Sequence, residues 1–483
     1  MSGYTPFQRQ HRRAARWALY SSFALSGLAV FAVTHSFSRK LGTLEEQSGT
    51  REEWEARPEV ELLRRYVRID TTEREIEGAR FLAEELRLMG LEPVLEELGD
   101  GRANLWAILE GRRREAIVLH NHIDVFRVLE PEAWAFEPFG GEIEPPFLYG
   151  RGAFDMKSLA IAQLLALRAL AARPERPERS VIFLATADEE SGSRLGTRWI
   201  LREHPELAER FDLVLTEGGV VEPVSVSEIK YWGIEAGQKR FAAGEACFRS
   251  RAPLDWLFKE LYRRQRELGT PVLTPEVRDF LRTYAPTREE KWFRRMLGSL
   301  LQGEANPTHF QVFPAYLRSL FLNEIVPFPV ERTADGGYRL PMMAHLLPGA
   351  DADRVFAELL PPWLTHGLDV RFDEPLGAAG GSSTTSADFR ILEESLAAAH
   401  AGTPVGPYFL SWSATDARFF RQRGVASYGF SPFLVFSIES YRADTRNERI
   451  NLPGFVAGVE VYVETVRRLA DAARPAPAEA AAR

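Results

Sequence analysis

Short apolar segments alternate with longer amphipathic ones through the first half of the chain, which predicts strands alternating with helices. The predicted strands are Asn104–Leu109, Ala116–Leu119, Val181–Thr186 and Leu213–Leu215. The predicted helices are Val60–Val67, Ile76–Met89, Ser158–Ala171 and Leu195–Arg202. This order predicts an α/β fold in which helices cover a mixed sheet.

The pattern changes after about residue 231, where charged helical stretches and isolated strand-like segments replace the regular alternation. We interpret residues 231–379 as an inserted α+β lid domain. Residues 57–230 and 380–473 would form the two parts of the catalytic domain. The Pro- and Ala-rich residues 474–483 are typical of a disordered tail.

The N-terminal region has a basic segment, residues 1–16, followed by an apolar run from Trp17 to Phe37 without Asp, Glu, Lys or Arg. As a helix this run would rise about 31 Å, enough to cross a bilayer. The basic flank predicts a single-pass anchor with the N-terminus in the cytoplasm and the catalytic domain on the periplasmic or extracellular side. Residues 38–56 would be a linker. The alternative is a cleaved signal peptide and a secreted protein.

Composition narrows the possible chemistry. The formal net charge of −8 argues against a nucleic-acid partner, which would require a basic surface. The single cysteine, Cys247, excludes an intrachain disulfide and a cysteine-based metal cluster. A metal site would have to use His, Asp and Glu.

Acidic or histidine-containing clusters follow several predicted strands, where α/β sheets commonly place their ligand sites. His122 and Asp124 follow one strand, and an Asp behind a His can orient the imidazole of a metal ligand. Asp155 lies in a glycine-rich turn before a buried helix, where a helix N-cap is the simpler interpretation. Each cluster also has a structural interpretation when taken alone.

Two further acidic groups complete the pattern. Glu189 and Glu190 follow the strand Val181–Thr186, and Glu217 follows Leu213–Leu215. Taken alone, the first group could be a solvated acidic loop. One imidazole with several carboxylates suits divalent metal ions, and two such ions can activate a water molecule and polarise a carbonyl.

The order and spacing of these clusters resemble the zinc-dependent metallopeptidase and aminoacylase family of carboxypeptidase G, acetylornithine deacetylase and succinyl-diaminopimelate desuccinylase. The carboxypeptidase S and N-acyl-amino-acid hydrolase branch is the most similar. The matching segments are His122–Asp124, Trp134, Pro138–Phe139, Tyr149–Lys157, Asp188–Glu190 and Thr415–Arg418. The resemblance covers roughly residues 60–473.

The resemblance implies a role for each matching residue. His122 and Glu217 would bind one metal ion, Glu190 the second, and Asp155 would bridge both. Asp124 would support His122, and Glu189 would be the general base. A cis peptide bond between Asp155 and Met156 is also implied.

The last metal ligand departs from the family. The family has a His four residues before a Glu near the C-terminus, whereas this chain has Asp444 four residues before Glu448. We hypothesise that Asp444 is the fifth ligand. An additional carboxylate would favour harder cations such as Mn²⁺.

The lid departs from the family as well. Phe248–Ser250 occupies the neighbourhood of a lid His that helps to hold the oxyanion. His345 stands where the family has an Arg that grips a substrate carboxylate, and Asn323 matches a substrate-contacting Asn. A packed histidine at the domain interface is the alternative interpretation of His345. These changes indicate a substrate other than a simple free-carboxylate peptide.

The sequence therefore predicts a metal-dependent peptidase or amidohydrolase acting on small N-acyl amino acids or dipeptide-like substrates. Its cofactors would be two divalent metal ions, Zn²⁺ first and Mn²⁺ or Co²⁺ as alternatives. A homodimer through the lid is a further expectation from the resemblance. The alternative is a non-catalytic, membrane-anchored paralogue that keeps the fold as a binding or scaffold protein.

Overall fold

A computed structural model describes residues 49–223, 229–268, 271–288, 290–302, 315–378, 380–435 and 444–473. The predicted membrane segment, residues 17–37, and the tail, residues 474–483, lie outside these ranges. Within them, no helix combines the length and apolar character needed to cross a bilayer.

The described secondary structure alternates strands and helices in the first half of the chain. The strands are β1 (Val94–Gly99), β2 (Arg102–Leu109), β3 (Arg113–His122), β4 (Glu142–Glu144), β5 (Phe147–Tyr149), β6 (Arg179–Thr186), β7 (Phe211–Thr216), β8 (Val220–Pro223), β9 (Ile229–Gln238), β10 (Arg240–Phe248), β11 (Glu324–Pro327), β12 (Glu331–Arg332), β13 (Tyr338–Leu346), β14 (Asp369–Phe372), β15 (Val405–Leu410), β16 (Ala426–Gly429) and β17 (Arg449–Asn451). The helices are α1 (Arg51–Glu55), α2 (Pro58–Val67), α3 (Glu75–Leu88), α4 (Lys157–Ala171), α5 (Thr197–Glu203), α6 (Pro205–Ala208), α7 (Arg251–Leu268), α8 (Pro275–Tyr284), α9 (Lys291–Leu301), α10 (Ala315–Ser319), α11 (Ala352–Leu359), α12 (Ala387–Ala399), α13 (Ala417–Gln422) and α14 (Leu452–Asp471).

A nine-stranded mixed sheet forms the centre of the protein, with the order β1-β2-β6-β3-β7-β16-β9-β15 and β8 paired to β9. Strand β3 runs parallel to both β6 and β7, and β7 runs parallel to β16. The carboxyl ends of these neighbouring strands therefore meet at one edge of the sheet, which is where such sheets bind ligands.

Helices cover both faces of this sheet. In β3, Ile117 and Leu119 contribute to the core that includes α2, α3, α4 and α14. Ala116 and Val118 contribute to a second core on the other face, with residues of α5 and α13. Successive side chains of a strand point to opposite faces, and helices cover both faces here, so the segment 116–119 of β3 is apolar at each of its positions.

A second sheet forms a smaller layer with the order β11-β13-β10-β14 and β12 paired to β13. Helices α7 and α11 pack on it around a separate core that includes Leu257, Leu340 and Phe356. A three-stranded sheet of β17, β5 and β4 joins a late segment of the chain to the loop before α4. This last pairing positions the functional site.

Two details differ from the sequence interpretation. Strand β9 lies in the large sheet, so a boundary at residue 231 falls inside a strand, and the second sheet begins at Arg240. The end of the predicted linker 38–56 forms helix α1, in which Trp54 is buried. Thr50 caps this helix through a reciprocal bond with Glu53, a local signal that can be read from the sequence.

Candidate metal centre

The candidate site lies at the carboxyl edge of the three parallel strands β6, β3 and β7. His122 is the last residue of β3, Glu189 and Glu190 follow β6, and Glu217 follows β7. Asp155 reaches the same place from the loop between β5 and α4. The structure therefore brings together side chains that are far apart in the sequence.

The imidazole of His122 faces the acidic groups through Nε2. Its Nδ1 lies 2.8 Å from the backbone oxygen of Asp124, which can only accept, so Nδ1 carries the proton of the neutral ring. Nε2 lies 3.1 Å from Oδ1 of Asp155 and 3.8 Å from Oε2 of Glu217. This leaves Nε2 directed into the site, as a metal ligand requires.

The carboxylate of Asp124 makes different contacts from those predicted. Its oxygens accept hydrogen bonds from the backbone nitrogens of Glu189 (3.1 Å) and Glu190 (3.0 Å). Its Oδ1 is 3.6 Å from Nδ1 of His122, too far for a hydrogen bond. The backbone of Asp124 thus orients the imidazole, while its side chain holds the loop that carries both glutamates.

Two overlapping groups of side chains have the spacing of a metal site. Potential ligand atoms of His122, Asp155 and Glu190 lie within 4.8 Å of one another, and so do those of His122, Glu189 and Glu217. The imidazole belongs to both groups. The Asp155–Met156 peptide bond is cis, as the family resemblance implied.

Asp444 lies next to these groups without belonging to either of them. Its Oδ1 is 3.9 Å from Nη1 of Arg151, and its backbone oxygen accepts a hydrogen bond from Nη2 of Arg151 at 3.1 Å. The neighbouring Asp155 carboxylate contributes to the raised pKa of Asp444, which is consistent with the two carboxylates lying close together. The hypothesis that Asp444 is a ligand stays a prediction.

The polar atoms of this cluster fit a bound cation better than a metal-free acidic site. Oε1 of Glu190 and Oδ1 of Asp444 are buried, and no described residue gives them a hydrogen bond. Burial, and then the Asp155 carboxylate, raises the pKa of Glu190 to about 9, that of Asp444 to about 8 and that of Glu217 to about 7. One imidazole and several oxygen donors match the ligand preferences of divalent metal ions.

For His122, burial opposes the charged ring, but the nearby carboxylates of Asp124, Asp155 and Glu217 outweigh this effect and raise the pKa. For Glu189, burial and then the carboxylates of Glu217 and Asp416 raise the pKa. The carboxylate of Glu189 accepts no hydrogen bond from any residue within the described ranges. It is therefore available as a proton acceptor.

Glu448 is a buried residue that the sequence marks only by its four-residue spacing from Asp444. Its Oε1 accepts hydrogen bonds from the backbone nitrogens of Phe154 (2.9 Å) and Asp155 (3.0 Å). Its Oε2 accepts one from Nη1 of Arg151 at 2.6 Å. Glu448 and Arg151 thus clamp the turn that presents Asp155, and the pairing of β17 with β5 brings them there.

The segment Thr415–Arg418 packs beside the Glu189 loop, a contact that the matching motif did not predict. Asp416 accepts a hydrogen bond from the hydroxyl of Ser193, and its Oδ2 is 3.7 Å from Nε2 of the buried His120. Burial lowers the pKa of His120 to about 4, so this ring is neutral. The segment therefore helps to hold the loop that carries Glu189.

The predicted substrate contacts lie in the second sheet. His345 lies against Phe241 with ring centroids 4.6 Å apart and the ring planes tilted, and burial and then Lys239 lower its pKa to about 4. Oδ1 of Asn323 accepts a hydrogen bond from the backbone of Leu347 at 2.8 Å. Neither side chain hydrogen-bonds to the acidic cluster among the described residues.

Comparison with known proteins agrees with this geometry. Residues 118–468 match the peptidase family M20/M25/M40. Aminoacylase-1B of Rattus norvegicus is 24% identical over 434 residues, which cover 86% of this chain and 96% of the relative. Succinyl-diaminopimelate desuccinylase of Alkalilimnicola ehrlichii is 36% identical over 151 residues, which cover 31% of this chain and only 38% of the relative.

Among solved structures, an M20 family metallo-carboxypeptidase, Sso-CP2 from Sulfolobus solfataricus, superposes with a TM-score of 0.63 at 19% identity, covering 85% of this chain and 99% of that chain. The fold and the acidic cluster define a metal-dependent hydrolase. The chain belongs to the peptidase family M20/M25/M40.

Proposed function

We propose that the protein hydrolyses the amide bond of small N-acyl amino acids or dipeptide-like substrates, with Glu189 as the general base. The observation that carries this proposal is the position of Glu189 within ligand distance of His122 and Glu217, with its own carboxylate free of hydrogen bonds from the described residues. The full-length similarity to an aminoacylase supports the substrate class.

The proposed metal site consists of His122, Asp155, Glu190, Glu217 and Asp444. Two divalent cations bound there would polarise the scissile carbonyl and acidify the attacking water. The preferred cation is Zn²⁺, with Mn²⁺ and Co²⁺ as alternatives that an extra carboxylate favours.

Within this site Glu189 accepts a proton from the attacking water and passes it to the leaving nitrogen as the carbon–nitrogen bond breaks. The products are a carboxylic acid and a free amine. The raised pKa of Glu189 suits this role, because a carboxylate of ordinary pKa would be a weaker base towards the attacking water. Asp124 and the Thr415–Arg418 segment hold the loop that carries the base.

A panel of N-acyl amino acids, assayed with added Zn²⁺, Mn²⁺ or Co²⁺, tests the proposal. We expect hydrolysis by the wild type and a loss of about 10²–10⁴-fold in kcat for Glu189→Gln, because general-base catalysis contributes about this much. Glu203→Gln, a change at an exposed surface carboxylate, is the matched control. Unchanged turnover by Glu189→Gln would refute the assigned base.

Family membership and the clustered acidic residues support a hydrolase over the non-catalytic scaffold.

The location of the protein rests on sequence alone. We propose that residues 17–37 anchor the chain in a membrane with residues 57–473 on the non-cytoplasmic side, because the basic block precedes the apolar run.

A further inference from the structure

Arg418 is a buried arginine beside the proposed base, and no described residue accepts a hydrogen bond from its guanidinium. The side chain is 7% exposed, and its Nε is buried without a partner among the described residues. The backbone of Gly377 packs on its aliphatic carbons, and its guanidinium lies 4.6 Å from the centroid of the Phe419 ring. A buried N–H group without an acceptor, such as this Nε, is costly unless a ligand completes it.

Three contacts place Arg418 next to the loop that carries Glu189. Ser193, in that loop, donates to Asp416 two residues before Arg418. Arg198 lies 5.7 Å from the Phe419 ring, which Arg418 also contacts, and Arg198 donates to the backbone oxygen of Gly192. The Arg418 cation also acts on the Glu189 carboxylate, favouring its ionised form.

Two other buried cations of the described part of the chain have carboxylate partners. Arg151 pairs with Glu448 at 2.6 Å, and Lys239 pairs with Glu324 at 2.8 Å. His345, at the position of the family's carboxylate-binding Arg, has a pKa of about 4 and carries no charge near neutral pH. At the position where the family resemblance places a carboxylate-binding Arg, His345 therefore supplies no positive charge.

The proposed reaction requires an anion close to Arg418. The leaving nitrogen must come within hydrogen-bond reach of Glu189 to receive its proton, about 2.6–3.2 Å. In an N-acyl amino acid, one carbon atom separates that nitrogen from the α-carboxylate. The carboxylate must therefore enter the neighbourhood of Glu189, where a guanidinium beside the proposed metal ions would further offset the repulsion between the two anions.

We propose that Arg418 binds the α-carboxylate of the leaving amino acid, an assignment that rests on the proposed amide hydrolysis. It is a specificity-determining residue for the proposed reaction. A guanidinium can hold a carboxylate through two parallel hydrogen bonds. These bonds set the orientation of the carboxylate, and the positive guanidinium balances its negative charge. The preferred substrates are N-acyl amino acids with a free α-carboxylate.

Steady-state kinetics on a matched pair of substrates tests the assignment. The pair is the N-acetyl amino acid with the highest turnover in the panel and its α-carboxamide, which lacks the charge. For Arg418→Gln in the metal-loaded protein, we expect kcat/KM to fall about 10²-fold on the acid, mainly through KM, and less than about threefold on the amide. The kcat/KM of Arg418→Lys on the acid should lie between those of the wild type and Arg418→Gln, because lysine keeps the positive charge but cannot donate two parallel hydrogen bonds.

Arg423→Gln is the matched control, since this exposed arginine directly follows α13 and should change neither substrate. An equal loss on acid and amide for Arg418→Gln would overturn the assignment and leave Arg418 as a residue that only supports the Glu189 loop. No loss on either substrate would also overturn it. If thermal unfolding shows that Arg418→Gln does not fold, Arg418→Lys carries the same comparison.

Calorimetric binding separates this assignment from the proposed function. The N-acetyl amino acid is titrated into metal-loaded Glu189→Gln, with and without Arg418→Gln. A Kd at least about tenfold weaker in the double variant supports the assignment even if the wild type hydrolyses no member of the panel, an outcome that would overturn only the proposed function. Equal binding by both proteins, or binding by neither, overturns the assignment of Arg418.

Discussion

At the scale of single residues, Glu448 determines where Asp155 lies. It binds the backbone on the amino side of Asp155 and neutralises the buried Arg151. The sequence marked this position through its four-residue spacing from Asp444, but spacing cannot reveal a contact with residues about three hundred positions earlier. Tertiary structure was needed to assign the clamp.

We predict that Glu448→Gln weakens metal binding about 10–100-fold, because residues that orient metal ligands contribute about this much. It should also destabilise the fold by roughly 3 kcal/mol, because the buried Arg151 would keep only the more distant Asp444 carboxylate, 3.9 Å away, as a counter-charge. Metal titration against a competing chelator and urea unfolding measure the two effects. Glu460→Gln, an exposed change on α14, is the control, and equal metal affinity in both variants would contradict the clamp.

A second residue-scale prediction concerns Asp444, whose ligand role the sequence suggested. If it is a ligand, Asp444→His restores the family's imidazole and removes one carboxylate, so selectivity should shift towards Zn²⁺ and away from Mn²⁺. Competition between the two metals, quantified by elemental analysis, measures the shift. An unchanged ratio of bound Zn²⁺ to bound Mn²⁺ in Asp444→His, together with full metal content in Asp444→Ala, would exclude Asp444 as a metal ligand.

The acidic cluster also predicts a pH dependence. The pKa values of Glu190, Asp444 and Glu217 are raised by burial and then by Asp155, so the folded metal-free protein binds more protons than the unfolded chain between about pH 5 and 9. The contribution of these three groups to the stability of the metal-free protein therefore falls as pH rises through that window. Metal ions displace those protons, so saturating Mn²⁺ should raise Tm more at pH 8 than at pH 6.

Thermal unfolding with and without Mn²⁺ at the two pH values measures this difference. In a variant with Glu190→Gln and Glu217→Gln, the Tm increase caused by Mn²⁺ should lose most of its pH dependence, because the amides do not titrate. The same Tm increase at both pH values in the wild type would contradict the assignment of these carboxylates as metal ligands.

At the scale of elements, apolar periodicity identified the helices and strands around the site. The predicted strand Val181–Thr186 lies within β6, and the predicted helix Ser158–Ala171 lies within α4. The strands β9 and β15 were not predicted. Strand β9 carries two glycines and a buried Glu235, so its composition does not resemble that of a core strand.

A buried ion pair explains why a charged residue is tolerated in β9. Arg421 of α13 donates to both carboxylate oxygens of Glu235, at 2.8 and 2.7 Å. We predict that Arg421→Ala destabilises the fold by about 3–5 kcal/mol, because the glutamate stays buried without its partner. Urea unfolding compares it with the exposed Arg423→Ala, and similar stabilities of the two variants would contradict this account of β9.

At the scale of the whole molecule, the sequence indicated a covered mixed sheet with an inserted second layer, and the described residues form these two layers. The division at residue 231 could not be located better, because β9 and β10 are separated by a single residue, Lys239. A homodimer through the lid stays a prediction.

The membrane anchor is also a whole-molecule prediction. The full chain should remain with membranes after a carbonate wash, because residues 17–37 would span the bilayer, whereas a variant lacking residues 1–37 should be released. Western blotting of the fractions measures this. Release of the intact full-length chain would contradict an anchor, and a shortened released chain would indicate signal cleavage.

The central claim is that His122, Asp155, Glu190 and Glu217 hold two metal ions at the carboxyl edge of the large sheet. An anomalous-diffraction map of crystals soaked in Mn²⁺ or Zn²⁺ tests it most directly. We expect two peaks per chain about 3.5–4 Å apart, with Asp155 contacting both and Glu189 contacting neither. A single peak, no peak, or two peaks away from Asp155 would contradict it.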